Sequence, residues 1–115
     1  MRYVIYHNPA CGTSRNALAI LREAGIEPEI VLYLQTPLDV AQLRALGEAL
    51  GEPARALLRS KEALCAELGL DAPDASAARI FAAIAAHPIL FNRPIVSGPR
   101  GTRVCRPAEV VRELI

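Results

Sequence analysis

The residue in this sequence best suited to chemistry is a cysteine at the mouth of a predicted helix. In the stretch Tyr3-Val4-Ile5-Tyr6-His7-Asn8-Pro9-Ala10-Cys11-Gly12-Thr13-Ser14-Arg15, an apolar β-type run ends in an Asn-Pro turn. Cys11 follows, and an amphipathic helix begins. A thiol there faces free backbone N–H groups and the positive end of a helix dipole. Both favour the thiolate, the nucleophilic form, so its pKa should lie below the free value of roughly 8.5. His7 and Ser14 flank the thiol. His7 reads as a neighbour that tunes Cys11 rather than half of a metal site, because there is no Cys/His cluster at zinc spacing and no CxxC.

Spacing narrows the chemistry. A dithiol oxidoreductase carries its second cysteine three residues after the first, where this sequence has Ser14. Cys11 is therefore a lone thiol whose turnover needs an outside one. A phosphatase-like anion loop needs an arginine six residues after its cysteine; here that residue is Ala17, and Arg15 stands at plus four. Arginines that hold an anion must then come from elsewhere in the chain.

At 115 residues the chain fits one domain, residues 1–115, and 52% hydrophobic with 22% charged residues indicates a globular rather than disordered protein. No apolar run approaches the roughly 20 residues of a membrane helix, and no signal peptide is visible, so a cytoplasmic protein without a membrane partner is expected. A net charge of +1 argues against bulk binding to nucleic acid. The distribution is uneven: residues 23–74 hold 10 of 12 acidic side chains but 4 of 13 basic ones. Arg79, Arg93, Arg100, Arg103 and Arg106 lie in a stretch free of carboxylates, which points to an anion-attracting region if the two outer parts pack together.

The elements that must position these residues read as follows. Residues 2–6 form a strand. Residues 12–24 form a helix closed by Gly25, and residues 29–34 a second strand parallel to the first. A helix opens at Thr36-Pro37-Leu38-Asp39 with Leu43, Leu46 and Leu50 inward; shorter helices cover 61–68 and 76–86. Residues 89–97 and 102–105 form a hairpin across Gly98-Pro99-Arg100-Gly101. Pro107 starts a last helix with Val110, Val111 and Leu114 inward. Cys65 reads as a buried small hydrophobe. Cys105 reads as structural at a strand end, with a resolving thiol as the alternative. The order β-α-β, helices, β-β-α predicts an α/β, thioredoxin-like (glutaredoxin-like) fold: a mixed four-stranded sheet with a helical insertion over approximately 36–87. That fold places a cis-proline opposite the cysteine, and Pro94 is the candidate.

The blocks His7–Asn16, Arg55–Arg59, His87–Val96 and Gly101–Pro107 resemble the glutaredoxin-dependent arsenate reductases nearly end to end. The resemblance implies that Cys11 is the nucleophile, that His7 and Ser14 adjust its ionisation, and that Arg59, Arg93 and Arg106 hold the oxyanion. It further implies arsenate as substrate, glutathione as co-substrate, glutaredoxin as partner and no bound cofactor or metal. Two other readings share the fold: a regulator of the Spx type that binds RNA polymerase, and a thiol oxidoreductase acting on another substrate.

Overall fold

The computed structural model describes residues 2–115. The chain falls into two compact units, one comprising the residues through Thr36 together with Arg93–Ile115, the other Pro37–Asn92.

The first unit is a sheet unit. It contains strand β1 (Val4–Tyr6), helix α1 (Gly12–Glu23), strand β2 (Glu29–Val31), strands β3 (Ile95–Gly98) and β4 (Gly101–Val104), and a terminal 3-10 helix over Ala108–Leu114. The sheet order is β2-β1-β3-β4; β1 and β2 run parallel, and β1–β3 and β3–β4 antiparallel. This is the mixed, thioredoxin-like sheet expected from the element order. Ile5 pairs with Val96 at its centre. Both are fully buried in a core with Ala17, Leu18 and Leu21 of α1 and Ala108, Val111 and Leu114 of the terminal helix. Each such large side chain removed from water contributes about 1.5–3 kcal/mol. Helix α1 ends in a glycine motif: Gly25 takes φ +80° and donates to the Arg22 carbonyl, and Ile26 donates to that of Leu21.

Register decides what this sheet presents at one end. Tyr6 pairs with Ile95, and Ile95 pairs with Val104. The residues just beyond these positions are His7 on one strand, Arg93-Pro94 on the next and Cys105-Arg106 on the third, so three segments far apart in sequence meet at one sheet end. The Cys105 N–H donates to the Pro94 carbonyl at 2.8 Å. The Arg93–Pro94 bond is cis, as the fold argument anticipates, and so is Arg106–Pro107.

At the sheet's other end a close approach constrains sequence. A Cβ at Gly98 would stand 2.6 Å from the Tyr3 ring, whose hydroxyl donates to the Leu114 carbonyl. The tethered ring cannot swing away freely, so Gly98→Ala should destabilise the protein by about 1–3 kcal/mol. Thermal or urea unfolding reads this directly; unchanged stability would show that the ring relaxes without cost.

The second unit is helical. Helix α2 (Val40–Leu50) starts at a capping box in which Asp39 accepts the Gln42 N–H at 2.8 Å and Gln42 accepts the Asp39 N–H at 2.9 Å. It is followed by a 3-10 turn over Ala54–Leu57, short α3 (Ala63–Glu67), α4 (Ala77–Ala86) and a 3-10 turn over Pro88–Leu90. Gly47 lets α2 approach Phe81 and Leu57, since a Cβ there would already lie 3.5 Å from the Phe81 ring. Arg55 donates to the Leu70 and Ala72 carbonyls. An isolated bridge pairs Leu58 with Phe91, and the Arg59 N–H donates to the Leu90 carbonyl at 2.7 Å. The Arg59 guanidinium donates to the Glu62 carboxylate at 2.8 Å.

Several boundaries differ from the sequence reading. The second strand stops at Val31, because the chain turns over Leu32–Thr36 with Gln35 and Thr36 both donating to the Leu32 carbonyl. The third begins at Ile95 rather than residue 89, since Pro88–Leu90 is a 3-10 turn. The second helix begins at Val40 rather than beside Thr36, and α3 covers only Ala63–Glu67. The last helix is a 3-10 helix starting at Ala108, not an α-helix starting at Pro107. Its buried residues, Ala108, Val111 and Leu114, recur every third position and so align on one face at three residues per turn. Val110, expected inward, is only partly buried. Among the described residues no helix is long and apolar enough to cross a membrane.

Candidate active site

The loop between β1 and α1 is built by its own polar groups. The Asn8 side-chain oxygen accepts the Ala10 N–H at 3.0 Å, and the Cys11 N–H donates to the Asn8 carbonyl at 3.0 Å. This turn delivers Cys11 to the N-cap of α1 in extended geometry, φ −94° and ψ 121°. Arg15, one helical turn on, folds back and donates to the Pro9 carbonyl at 2.8 Å. The sequence alone does not mark Asn8 and Arg15 as site residues; the Asn-Pro turn is the available signal for the first, and the plus-four spacing from Cys11 for the second.

Ser14 ties the loop to the strand. It is fully buried; its Oγ accepts the Asn8 N–H at 3.1 Å and lies 2.5 Å from His7 Nδ1. Burial lowers the pKa of His7, and the charges of Arg22 and Arg15 lower it further. His7 is therefore neutral near pH 7 and shares one proton-bearing contact with Ser14.

Two arginines reach this loop from the other strands. Arg106 donates to the Arg93 carbonyl at 2.9 Å, and the same Nη1 lies 3.9 Å from Cys11 Sγ. Arg93 is only 9% exposed, and its Nε has no hydrogen-bond partner among the described residues. A buried donor without an acceptor is costly in a finished site and suits one that receives an anion.

These groups act together on the thiol. Burial is the largest single influence on Cys11 and opposes ionisation. The Ser14 N–H, the Arg93 charge, the Thr13 N–H and the Arg106 contact outweigh it, and Cys11 is held below the ordinary thiol range. The other two cysteines behave oppositely: burial raises Cys65 and pushes Cys105 up to about 12. Alkylation by iodoacetamide should therefore select Cys11, with a rate that rises with pH through a midpoint below that of a free thiol. Arg106→Ala should move that midpoint upward and slow alkylation at pH 7 severalfold. Equal midpoints in the two proteins would remove Arg106 from the thiolate's surroundings.

Of the residues selected from sequence, Cys11, His7, Ser14, Arg93, Pro94 and Arg106 lie in the sheet unit, gathered at one sheet end. Arg59 lies in the helical unit beside Glu62.

The arrangement is that of a single-thiol, thioredoxin-fold site furnished with arginines. Residues 6–114 match the model of the ArsC family. The chain is 51% identical over its whole length to the arsenate reductase of Rhizobium meliloti (strain 1021), spanning 82% of that protein. It is 50% identical over 111 residues to the arsenate reductase of Escherichia coli (strain K12), spanning 96% of this chain and 79% of that one. A solved structure of arsenate reductase from Vibrio cholerae superposes with a TM-score of 0.94 at 44% identity, covering 100% of this chain and 98% of the other. The chain belongs to the ArsC family.

Proposed function

We propose that this chain is an arsenate reductase that takes its electrons from glutathione and glutaredoxin in the cytoplasm. The observation that carries the reading is Cys11 itself: a lone thiol at the head of α1, its pKa lowered by the surrounding N–H groups and arginines, with the Arg106 guanidinium 3.9 Å from its sulfur.

Arsenate is a multiply charged anion near neutral pH, and a thiolate repels it unless fixed cations intervene. Planar, paired guanidinium donors suit tetrahedral oxyanions. Arg93 and Arg106 flank the thiol, and the resemblance to the arsenate reductases adds Arg59 as a third cation for the anion. The Cys11 thiolate attacks arsenic and displaces an oxygen that leaves as water after protonation. The Ser14 N–H favours the ionised thiol, and the Ser14 hydroxyl holds the His7 ring. The glutathione thiol then replaces a second oxygen, again lost as water, and arsenic is still pentavalent. The glutaredoxin thiolate attacks the glutathione sulfur, and the electron pair of the broken sulfur–arsenic bond stays on arsenic, which becomes trivalent. Hydrolysis of the Cys11–arsenic bond releases arsenite and restores the thiolate. Arsenic acid and two thiols thus give arsenous acid, one disulfide and one water.

The test is a coupled assay. With arsenate, glutathione, glutaredoxin and glutathione reductase, NADPH should be consumed only when all components are present. No arsenate-dependent consumption, with the protein folded and Cys11 reduced, would remove the reading.

A further inference from the structure

Reduction of arsenic from pentavalent to trivalent takes two electrons, and the chain's own thiols are not placed to supply them. Ser14 stands where a resolving cysteine would be, and Cys65 and Cys105 are fully buried. An outside thiol must come to Cys11, and the surface next to that residue carries a place for it.

A cleft of about 520 Å³ runs along α1 beside the Cys11 loop. Small-molecule sites usually fall at roughly 300–1,000 Å³. Its apolar lining comes from Pro9 and Leu18, and Arg15, Arg22 and Glu23 stand around it. His7 lines it too, although only 5% of that residue is exposed. Ser14 Oγ lies against His7 Nδ1. Arg15 joins the cleft to the reactive loop: its Nη1 donates to the Pro9 carbonyl, and its Nη2 lies against Gly12, the residue after Cys11.

We propose that this cleft binds the reducing co-substrate, a small peptide thiol with two carboxylates and one ammonium, the charge pattern of glutathione. Arg15 and Arg22 match the two carboxylates, and Glu23 matches the ammonium. Arg22 donates to Glu27 through Nε and Nη2, which leaves its Nη1 for a ligand. The dimensions agree. Seven residues of α1 separate Arg15 from Arg22, about 10 Å of helix, and an extended tripeptide spans about 10 Å. A peptide anchored at Arg22 and Glu23 thus extends as far as Arg15 and the Gly12 backbone. The thiol gives its sulfur to arsenic, and its proton leaves with the displaced oxygen as water; arsenic does not change oxidation state in that step.

This inference rests on the glutathione-dependent reading, so its test includes a readout that needs no turnover. S-methylglutathione keeps every charge but cannot react. Titrated into the full chain, it should shift the amide resonances of Leu18, Ala19, Arg22 and Glu23, and shifts confined to other segments would overturn the proposal. Two exposed positions outside the catalytic group then probe the cleft in turnover. Glu23→Arg reverses one charge, and Ala19→Trp fills the space. Each should raise the KM for glutathione by about fivefold or more and leave kcat and the KM for arsenate within about twofold. An unchanged glutathione KM in both variants overturns the cleft while leaving arsenate reduction standing. If the wild-type chain reduces no arsenate, that function fails, and the titration still decides whether the cleft takes the peptide.

Discussion

Cys11→Ser should abolish arsenate reduction, with a fall of roughly a thousandfold or more in kcat/KM. The substitution changes one atom and leaves the fold alone: Cys11 makes no side-chain cap bond to α1 that serine would lose. What disappears is the nucleophile. The N–H groups of Ser14 and Thr13 and the two arginines lower the thiol's pKa from a starting point near 9, whereas the same groups cannot ionise an alkyl hydroxyl near neutral pH. The result is read in the coupled NADPH assay, with a melting curve to show that the variant is folded. Turnover close to wild type in Cys11→Ser would mean that another group performs the attack.

Arg93→Lys should be almost as damaging, lowering kcat/KM for arsenate by about 10²–10³-fold, or about 3–4 kcal/mol. Lysine keeps the positive charge, so Cys11 should stay easy to alkylate. It lacks the planar, multiply donating head, and from a 9% exposed position it cannot reorient to recover the geometry. Arg93→Met should depress both arsenate turnover and Cys11 alkylation. The pair of variants thus separates Arg93 as a charge beside the thiolate from Arg93 as a shaped receptor. Equal loss of alkylation in both would show that charge is not what Arg93 gives the thiol, and full activity in Arg93→Lys would show that shape is not needed.

How much of this could be read in the sequence depends on distance along the chain. Cys11, His7 and Ser14 sit within eight residues, punctuated by Asn8-Pro9, so local spacing was enough to group them. Arg93 and Arg106 join them only through strand register, so in the sequence their role rests on the resemblance to the arsenate reductases and not on spacing. Arg15 reads as a surface or supporting charge, because nothing in a one-dimensional pattern shows a long side chain folding back onto the Pro9 carbonyl. The apolar runs overstate the strands because Tyr33, Leu90 and Phe91 are buried, and burial without ladder pairing produces the same apolar run as a strand. The last helix reads as α in the sequence because three- and four-residue spacings overlap in so short a segment.

Ser14 carries a consequence for what this protein can become. Its hydroxyl fills the space beneath the loop with no exposure, and its oxygen serves Asn8 and His7 at once. Sulfur at that position is bulkier and a poor acceptor, and the same letter change that would create a dithiol would unpick the turn that presents the first thiol. Reliance on a borrowed electron donor is therefore anchored in the interior of the protein. A second cysteine at this position would come at the expense of the contacts that Ser14 makes with Asn8 and His7.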